Sequence, residues 1–263
     1  MGFFAKWRIH KTVRDSSVVD VSEQEGVRSL HMGSDTVHSA MRIRAPNYLE
    51  LAYTRSMMAF LLFMPDPEKV LMIGLGGGSL LKFIHHYMPA VKSTVVEINP
   101  QVFTVAQSHF AVPSEDDRFK LEIADGSEYV PAHPASADVI MLDGYDENCL
   151  VESLATQAFY DSCADGLTDN GILVVNLWGS DMMNFDAYLK RIETSFDGLV
   201  LCLPAERRGN IIVFAFKKSP GSPRWADLRD KAKILESRYK MEFLKFVEGI
   251  KDTNLHSEKR LLL

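Results

Sequence analysis

The spacing of apolar positions divides the 263-residue chain into three regions. Up to about residue 50, apolar and polar residues alternate in short runs. These are Ser17-Val18-Val19-Asp20-Val21, Val27 to Met32 and Thr36 to Met41, punctuated by Gly26 and Gly33-Ser34-Asp35. Short alternating runs between turn formers predict half-buried strands, so this part reads as a small antiparallel sheet. A helix is predicted from about Tyr48 to Phe63, where Leu51, Met58, Leu61 and Leu62 recur at helical spacing and Pro65 and Pro67 end it.

From Lys69 to Lys218, apolar strands alternate with helical segments. Strands are predicted over 70–73, 93–97, 119–123, 137–142 and 171–176, and helices over 79–87, 101–110 and 156–164. Strands apolar on both faces and separated by helices predict a parallel sheet covered on both sides. Two further strands, 199–203 and 211–216, are joined by a short polar loop that cannot make a parallel crossover, so they form an antiparallel hairpin. The predicted fold class is α/β: a Rossmann-like, class I methyltransferase-type doubly wound sheet ending in that hairpin. After Pro220 and Pro223, Trp225, Leu228, Ala232, Leu235, Tyr239, Phe243 and Phe246 mark one face of an amphipathic helix. The expected layout is a small N-terminal β-domain (1–50), a Rossmann-like nucleoside-binding domain (51–218) and a C-terminal amphipathic packing helix (219–263).

Composition narrows the function classes. With 46% hydrophobic and 24% charged residues, the chain is an ordinary globular one, neither disordered nor collagen-like. A net charge of −6, from 35 acidic and 29 basic residues, argues against nucleic acid as the partner. Cys149, Cys163 and Cys202 form no CxxC pair and no zinc spacing, which predicts free thiols in a reducing compartment and no metal. The start, MGFFAKWRIHKTVRD, has no apolar core long enough for a signal peptide. The longest apolar run, Met57 to Met64, is well short of the ~20 residues that a spanning helix needs. A cytoplasmic protein with no membrane partner is expected.

The candidate chemistry sits at strand ends. Gly74-Leu75-Gly76-Gly77-Gly78-Ser79 follows a strand and opens a helix, where a sharp turn and close backbone approach to a ligand favour residues without Cβ. Glu97 ends the next strand, where an acid accepts from both hydroxyls of a ribose. Asp125-Gly126 ends the third, placing an acceptor beside an adenine amine. Gly74, Gly76, Gly77, Gly78, Glu97, Asp125 and Gly126 thus fit an adenosine lying across the carboxyl ends of the strands. With the terminal hairpin, they favour S-adenosylmethionine or a relative over NAD. Leu142-Asp143-Gly144-Tyr145-Asp146 ends the fourth strand. Two acids and a tyrosine suit a protonated amine: a carboxylate can hold the ammonium, take its proton and orient the freed lone pair. An adjacent sulfonium would help to neutralise the amine by repulsion. His85-His86, Trp178, Glu206 and Arg207-Arg208 have plausible surface or packing roles, with Trp178 and Glu206 also candidates for the crevice wall.

VLMIGLGGGS (70–79), VEINP (96–100), Asp125-Gly126 and Asp143-Gly-Tyr-Asp146, with SLHMGSDTVHSAM (29–41) and the Leu49-to-Met58 stretch, resemble the spermidine synthase family of polyamine aminopropyltransferases. The similarity runs from about Val18 to Lys218. It implies transfer of an aminopropyl group from decarboxylated S-adenosylmethionine to putrescine, with release of 5′-methylthioadenosine, by a homodimer that holds no permanent cofactor. By position, Asp143 resembles the base and Asp146 an amine-binding acid. The resemblance further implies that Tyr53, Tyr145 and His38 would line the acceptor pocket, with Glu97 holding the ribose and Asp125 the adenine. The chain departs from the family at four places. Gly77 stands where an Asp clamps the donor's amino group, Arg55 replaces an acid, His38 replaces a Gln, and Pro204 to Arg208 lacks a substrate-lining Tyr. An Arg near the donor tail suits a carboxylate, so a methyltransferase using intact S-adenosylmethionine is the alternative. A catalytically degenerate nucleoside-binding homologue is another.

Overall fold

The computed structural model describes residues 7–14, 17–144, 150–179, 182–205 and 209–263. Strands β1 (Trp7–Arg14), β2 (Ser17–Gln24), β3 (Val27–Met32) and β4 (Ser39–Arg42) form an antiparallel sheet in that order. The β2–β3 hairpin turns on Glu25 and Gly26, both at positive φ (52° and 77°), which matches the right-handed twist of the strands it joins. β1 precedes the strands expected from the sequence. β4 starts three residues later than the Thr36 to Met41 run, because Gly33 to His38 form a loop. The buried His31 ring holds that loop: its Nδ1 lies 2.9 Å from the Thr36 carbonyl and its Nε2 2.9 Å from the Ser22 hydroxyl.

The helix expected over 48–63 is shorter and tighter. Pro46 sits in a turn closed by the Tyr48 amide donating to the Ala45 carbonyl (3.0 Å), which delays helix α1 to Ala52–Met57. Met58–Leu62 follow as a 3₁₀ segment whose five side chains are all fully buried.

The second sheet has seven strands: β5 (Lys69–Ile73), β6 (Lys92–Glu97), β7 (Phe119–Ile123), β8 (Ala137–Leu142), β9 (Leu167–Trp178), β10 (Val200–Pro204) and β11 (Asn210–Phe216). Their order is β10-β11-β9-β8-β5-β6-β7. β5 to β9 run parallel to one another, while β11 runs antiparallel to β9 and β10 antiparallel to β11. This is the expected doubly wound sheet with its terminal hairpin. Alternation sends Val70 and Met72 into one apolar layer, with the N-terminal sheet, and Leu71 and Ile73 into the other.

Helices α2 (Ser79–Tyr87), α3 (Pro100–Phe110), α4 (Gly126–Tyr129), α5 (Gln157–Gly166) and α6 (Met182–Ser195) connect the strands. α6 was not among the expected elements. The single C-terminal helix expected is two, α7 (Trp225–Tyr239) and α8 (Phe243–Thr253), because Lys240 adopts a left-handed conformation (φ 58°) that ends the first. Among the described residues, no helix is long and apolar enough to cross a membrane.

Side chains close both outer edges of the large sheet. On β10, the Asn254 amide accepts from the Cys202 amide and donates to the Cys202 carbonyl, each at 2.7 Å. On β7, the Leu121 amide donates to the Glu115 carboxylate at 2.9 Å.

Candidate active site

The chain leaves β5 for β6 and β7 on one side and returns through β8 and β9 on the other. The carboxyl ends of β5 and β8 therefore flank the crevice where open α/β sheets bind ligands. Two backbone hydrogen bonds set its floor: Gly74 N–H to the Val96 carbonyl (2.9 Å) and Asp143 N–H to the Ile73 carbonyl (3.0 Å). Gly74 has φ 93°, and a Cβ there would stand 2.5 Å from the Asp143 carbonyl oxygen. A cavity of about 580 Å³ opens at this point.

One side of the cavity, at the ends of β6 and β7, carries the carboxylates of Glu97 and Asp125. Glu97 is buried on its wall, with Oε2 accepting from the Leu75 amide and Oε1 from the Asn99 amide, both at 2.9 Å. These bonds fix the carboxylate's plane and use two of about four lone-pair positions. Burial pushes its pKa up, against the pull of the backbone donors. Asp125 caps α4, with Oδ1 accepting from the Ser127 amide and hydroxyl, both at 2.8 Å, and it lines the cavity together with Gly126. Ile98, 66% exposed, offers an apolar wall with Val151 and Leu154.

The expected glycine contacts divide. Gly74 and Gly76 are on the wall, whereas Gly77 and Gly78 lie behind it. A Cβ at Gly77 would stand 2.7 Å from the Ser39 hydroxyl and 2.9 Å from the Phe110 ring. The space that an acidic side chain would need at position 77 is therefore occupied.

At the other end stands Asp143. Its Oδ1 accepts from Asn176 Nδ2 (2.8 Å) and its Oδ2 from the Tyr53 hydroxyl (3.2 Å). The same hydroxyl approaches the His38 carbonyl at 3.1 Å. Asn176 Oδ1 in turn accepts from Asn210 Nδ2 (2.8 Å). Asp143 opens onto the cavity but is otherwise enclosed by protein. That desolvation raises its pKa, while the bonds from Asn176 and Tyr53 and the nearby His38 act in the opposite direction. Tyr53, His38 and Asp143 are thus brought together as expected.

Asn176 and Asn210 were not singled out from the sequence. The available signal was a polar residue at the end of the apolar run Ile172 to Val175. Trp178 belongs to the wall, being 46% exposed on the cavity. Asp146 and Tyr145 lie outside the described residues, as do Cys149, Glu206, Arg207 and Arg208.

Arg55 is not on the cavity wall, which corrects its expected pairing with a donor carboxylate under the methyltransferase alternative. Its Nε donates to Glu242 Oε1 (2.8 Å), and its Nη1 to the carbonyls of Leu49 (3.0 Å) and Glu50 (2.8 Å). It ties the start of α1 to the start of α8. His85 is bonded to Asp116 (2.9 Å) away from the cavity. Among the described residues, no three His, Cys, Asp or Glu side chains converge as a metal site requires.

Comparison with known proteins identifies the family. The family model described as spermine/spermidine synthase domain matches residues 50–223, a span that holds Tyr53, Glu97, Asp125 and Asp143. The chain is 41% identical over 256 residues to a polyamine aminopropyltransferase of Chromobacterium violaceum, covering 97% of this chain and 98% of that one. A solved spermidine synthase in complex with the transition state analogue AdoDATO superposes with a TM-score of 0.75 at 21% identity, over 93% of this chain and 84% of that one. Human methyltransferase-like protein 13 in complex with SAH gives a TM-score of 0.66 at 28% identity, over 72% of this chain and 92% of that one. The shared sheet accounts for both structural likenesses, and the near full-length match to an aminopropyltransferase decides between them: the chain belongs to the spermine/spermidine synthase family.

Proposed function

We propose that this transferase moves an aminopropyl group from decarboxylated S-adenosylmethionine to putrescine or a related amine and releases 5′-methylthioadenosine. The observation that carries the reading is a single cavity with the Glu97 carboxylate at one end and the Asp143 carboxylate at the other. Glu97 holds the ribose hydroxyls, Ile98 and Leu154 cover the base, and Asp125 and Gly126 lie beside it. Asp143 then faces the donor's propyl carbon.

The acceptor enters as an ammonium and is drawn to Asp143. Asp143 takes one N–H proton, and the freed lone pair attacks the methylene bonded to sulfur. The C–S bond breaks as the N–C bond forms, and the sulfur keeps the electron pair as a neutral thioether. The protein contributes alignment and a proton acceptor at the attacking nitrogen. Tyr53 and His38 shape the acceptor end, and the family resemblance assigns amine binding to Asp146 and pocket lining to Tyr145. Incubation with decarboxylated S-adenosylmethionine and putrescine should yield spermidine. Absence of turnover with every diamine and polyamine tried would remove the proposal.

A methyltransferase reading draws on the missing acid at position 77 and on the likeness to a solved methyltransferase. Arg55 no longer supports it, being bonded elsewhere. Calorimetry with intact and decarboxylated donor separates the two, and preference for the carboxylated ligand would favour methyl transfer. The family resemblance further implies a cytoplasmic homodimer, which sedimentation and fractionation test.

A further inference from the structure

Asp143, Asn176 and Asn210 come from three adjacent strands. Leu142 pairs with Val175 across β8 and β9, so the residues that follow them, Asp143 and Asn176, are neighbours. Across β9 and β11, Asn176 pairs with Ile212 and Trp178 with Asn210. Asn210 is therefore diagonal to Asn176 on the same face of the sheet, within side-chain reach.

Chemistry fixes the direction of both amides. The Asp143 carboxylate only accepts, so Asn176 must present Nδ2 to it, as the 2.8 Å contact has it. Asn176 Oδ1 then faces Asn210, whose Nδ2 donates at 2.8 Å. A flip of either amide would set two acceptors, or two donors, against each other.

We propose that Asn210 is a positioning residue for Asp143, acting through Asn176: it holds that amide so that a donor, never an acceptor, faces the carboxylate. The two oxygens of Asp143 thereby become unequal. Oδ1 is held by a locked amide, whereas Oδ2 is held by a hydroxyl that already shares its hydrogen with the His38 carbonyl. Oδ2 is the oxygen that takes the amine's proton. As the N–H bond breaks and the Oδ2–H bond forms, the Tyr53 hydroxyl turns fully to the His38 carbonyl, and its oxygen accepts from the new O–H.

This inference rests on the reading of Asp143 as the base, which Asp143→Asn tests separately. Asn210→Leu is close to isosteric and removes the amide whose Nδ2 donates to Asn176 Oδ1. It should lower kcat about tenfold and move the acid limb of the pH profile to higher pH with the donor's KM unchanged, and it should lower the melting temperature because the buried Asn176 Oδ1 loses the Asn210 donor. Asn176→Leu should do the same more strongly, and Asn176→Leu/Asn210→Leu should be no worse than Asn176→Leu alone. Asn210→Ser, which restores a donor, should recover much of the rate. Titration of the Asp143 carboxyl by NMR should report the same shift without turnover. The proposal is overturned if Asn210→Leu raises only the amine's KM with the acid limb in place, if the two losses multiply, or if Asn210→Ser and Asn210→Leu behave alike. Loss of activity in Asp143→Asn together with any of these outcomes leaves the base and removes the relay.

Discussion

Gly74 and Asp143 touch through their backbones. A Cβ on residue 74 would stand 2.5 Å from the Asp143 carbonyl oxygen, and residue 74 has φ 93°. The ends of β5 and β8 are held at a spacing that admits only glycine. Gly74→Ala should therefore be destabilised by about 1–3 kcal/mol from backbone strain alone, with more from the clash. It should also displace Asp143, so activity falls further than nucleoside affinity. Thermal melting and isothermal titration with methylthioadenosine measure the two effects.

Asp143→Asn keeps the shape of the site and removes the proton acceptor. Turnover should drop by about 10²–10⁴-fold, while methylthioadenosine binds nearly as before. In the unaltered enzyme, activity needs the ionised carboxylate and is lost as pH falls through its pKa. Burial raises that pKa, so the acid limb of kcat/KM should lie above the ~3.9 of an ordinary aspartate. An acid limb at or below that value would contradict the assignment.

Lys82 is buried in α2 and donates to the Phe110 carbonyl at the end of α3 (2.7 Å). Desolvation lowers its pKa from 10.5 to about 8. The unfolded chain then binds more protons than the folded one between those values. Stability from this group is complete above the unfolded pKa and is lost as pH falls through the folded one. Relative to Lys82→Met, which has nothing to titrate there, the natural protein should gain stability as pH rises from 8 towards 10.5. Urea unfolding of both proteins at intervals across that window checks the sign.

Arg55→Ala should change stability and not donor choice. Removing the guanidinium breaks its bonds to Glu242, Leu49 and Glu50 and should cost about 1–3 kcal/mol. The ratio of affinities for carboxylated and decarboxylated donor should stay constant. A changed ratio in calorimetry would return Arg55 to the site.

The sheet was legible because its central strands β5 and β8 are apolar on both faces and its strand ends carry or lead into chemically distinctive residues, Gly74, Glu97, Asp125 and Asp143. The short link between β10 and β11 revealed the reversal of direction. Local features that depend on one residue's conformation were hidden: nothing in the spacing around Lys240 marks the break between α7 and α8. Asn176 and Asn210 were hidden for another reason. They are 34 positions apart and meet only through strand register, a long-range property that periodicity does not encode. Gly77 shows the converse. Its place in the glycine loop was plain, but Ser39 and Phe110, which fill the space beside it, come from distant segments.

Asn254 and Glu115 have a consequence for crowded solutions. An incoming strand needs a row of unclaimed amides and carbonyls to extend a sheet, and these two residues obstruct it at opposite ends of the large one. Growth of fibres by strand addition there must first dislodge a side chain, so copies of this protein that associate through its large sheet region must do so by surface complementarity.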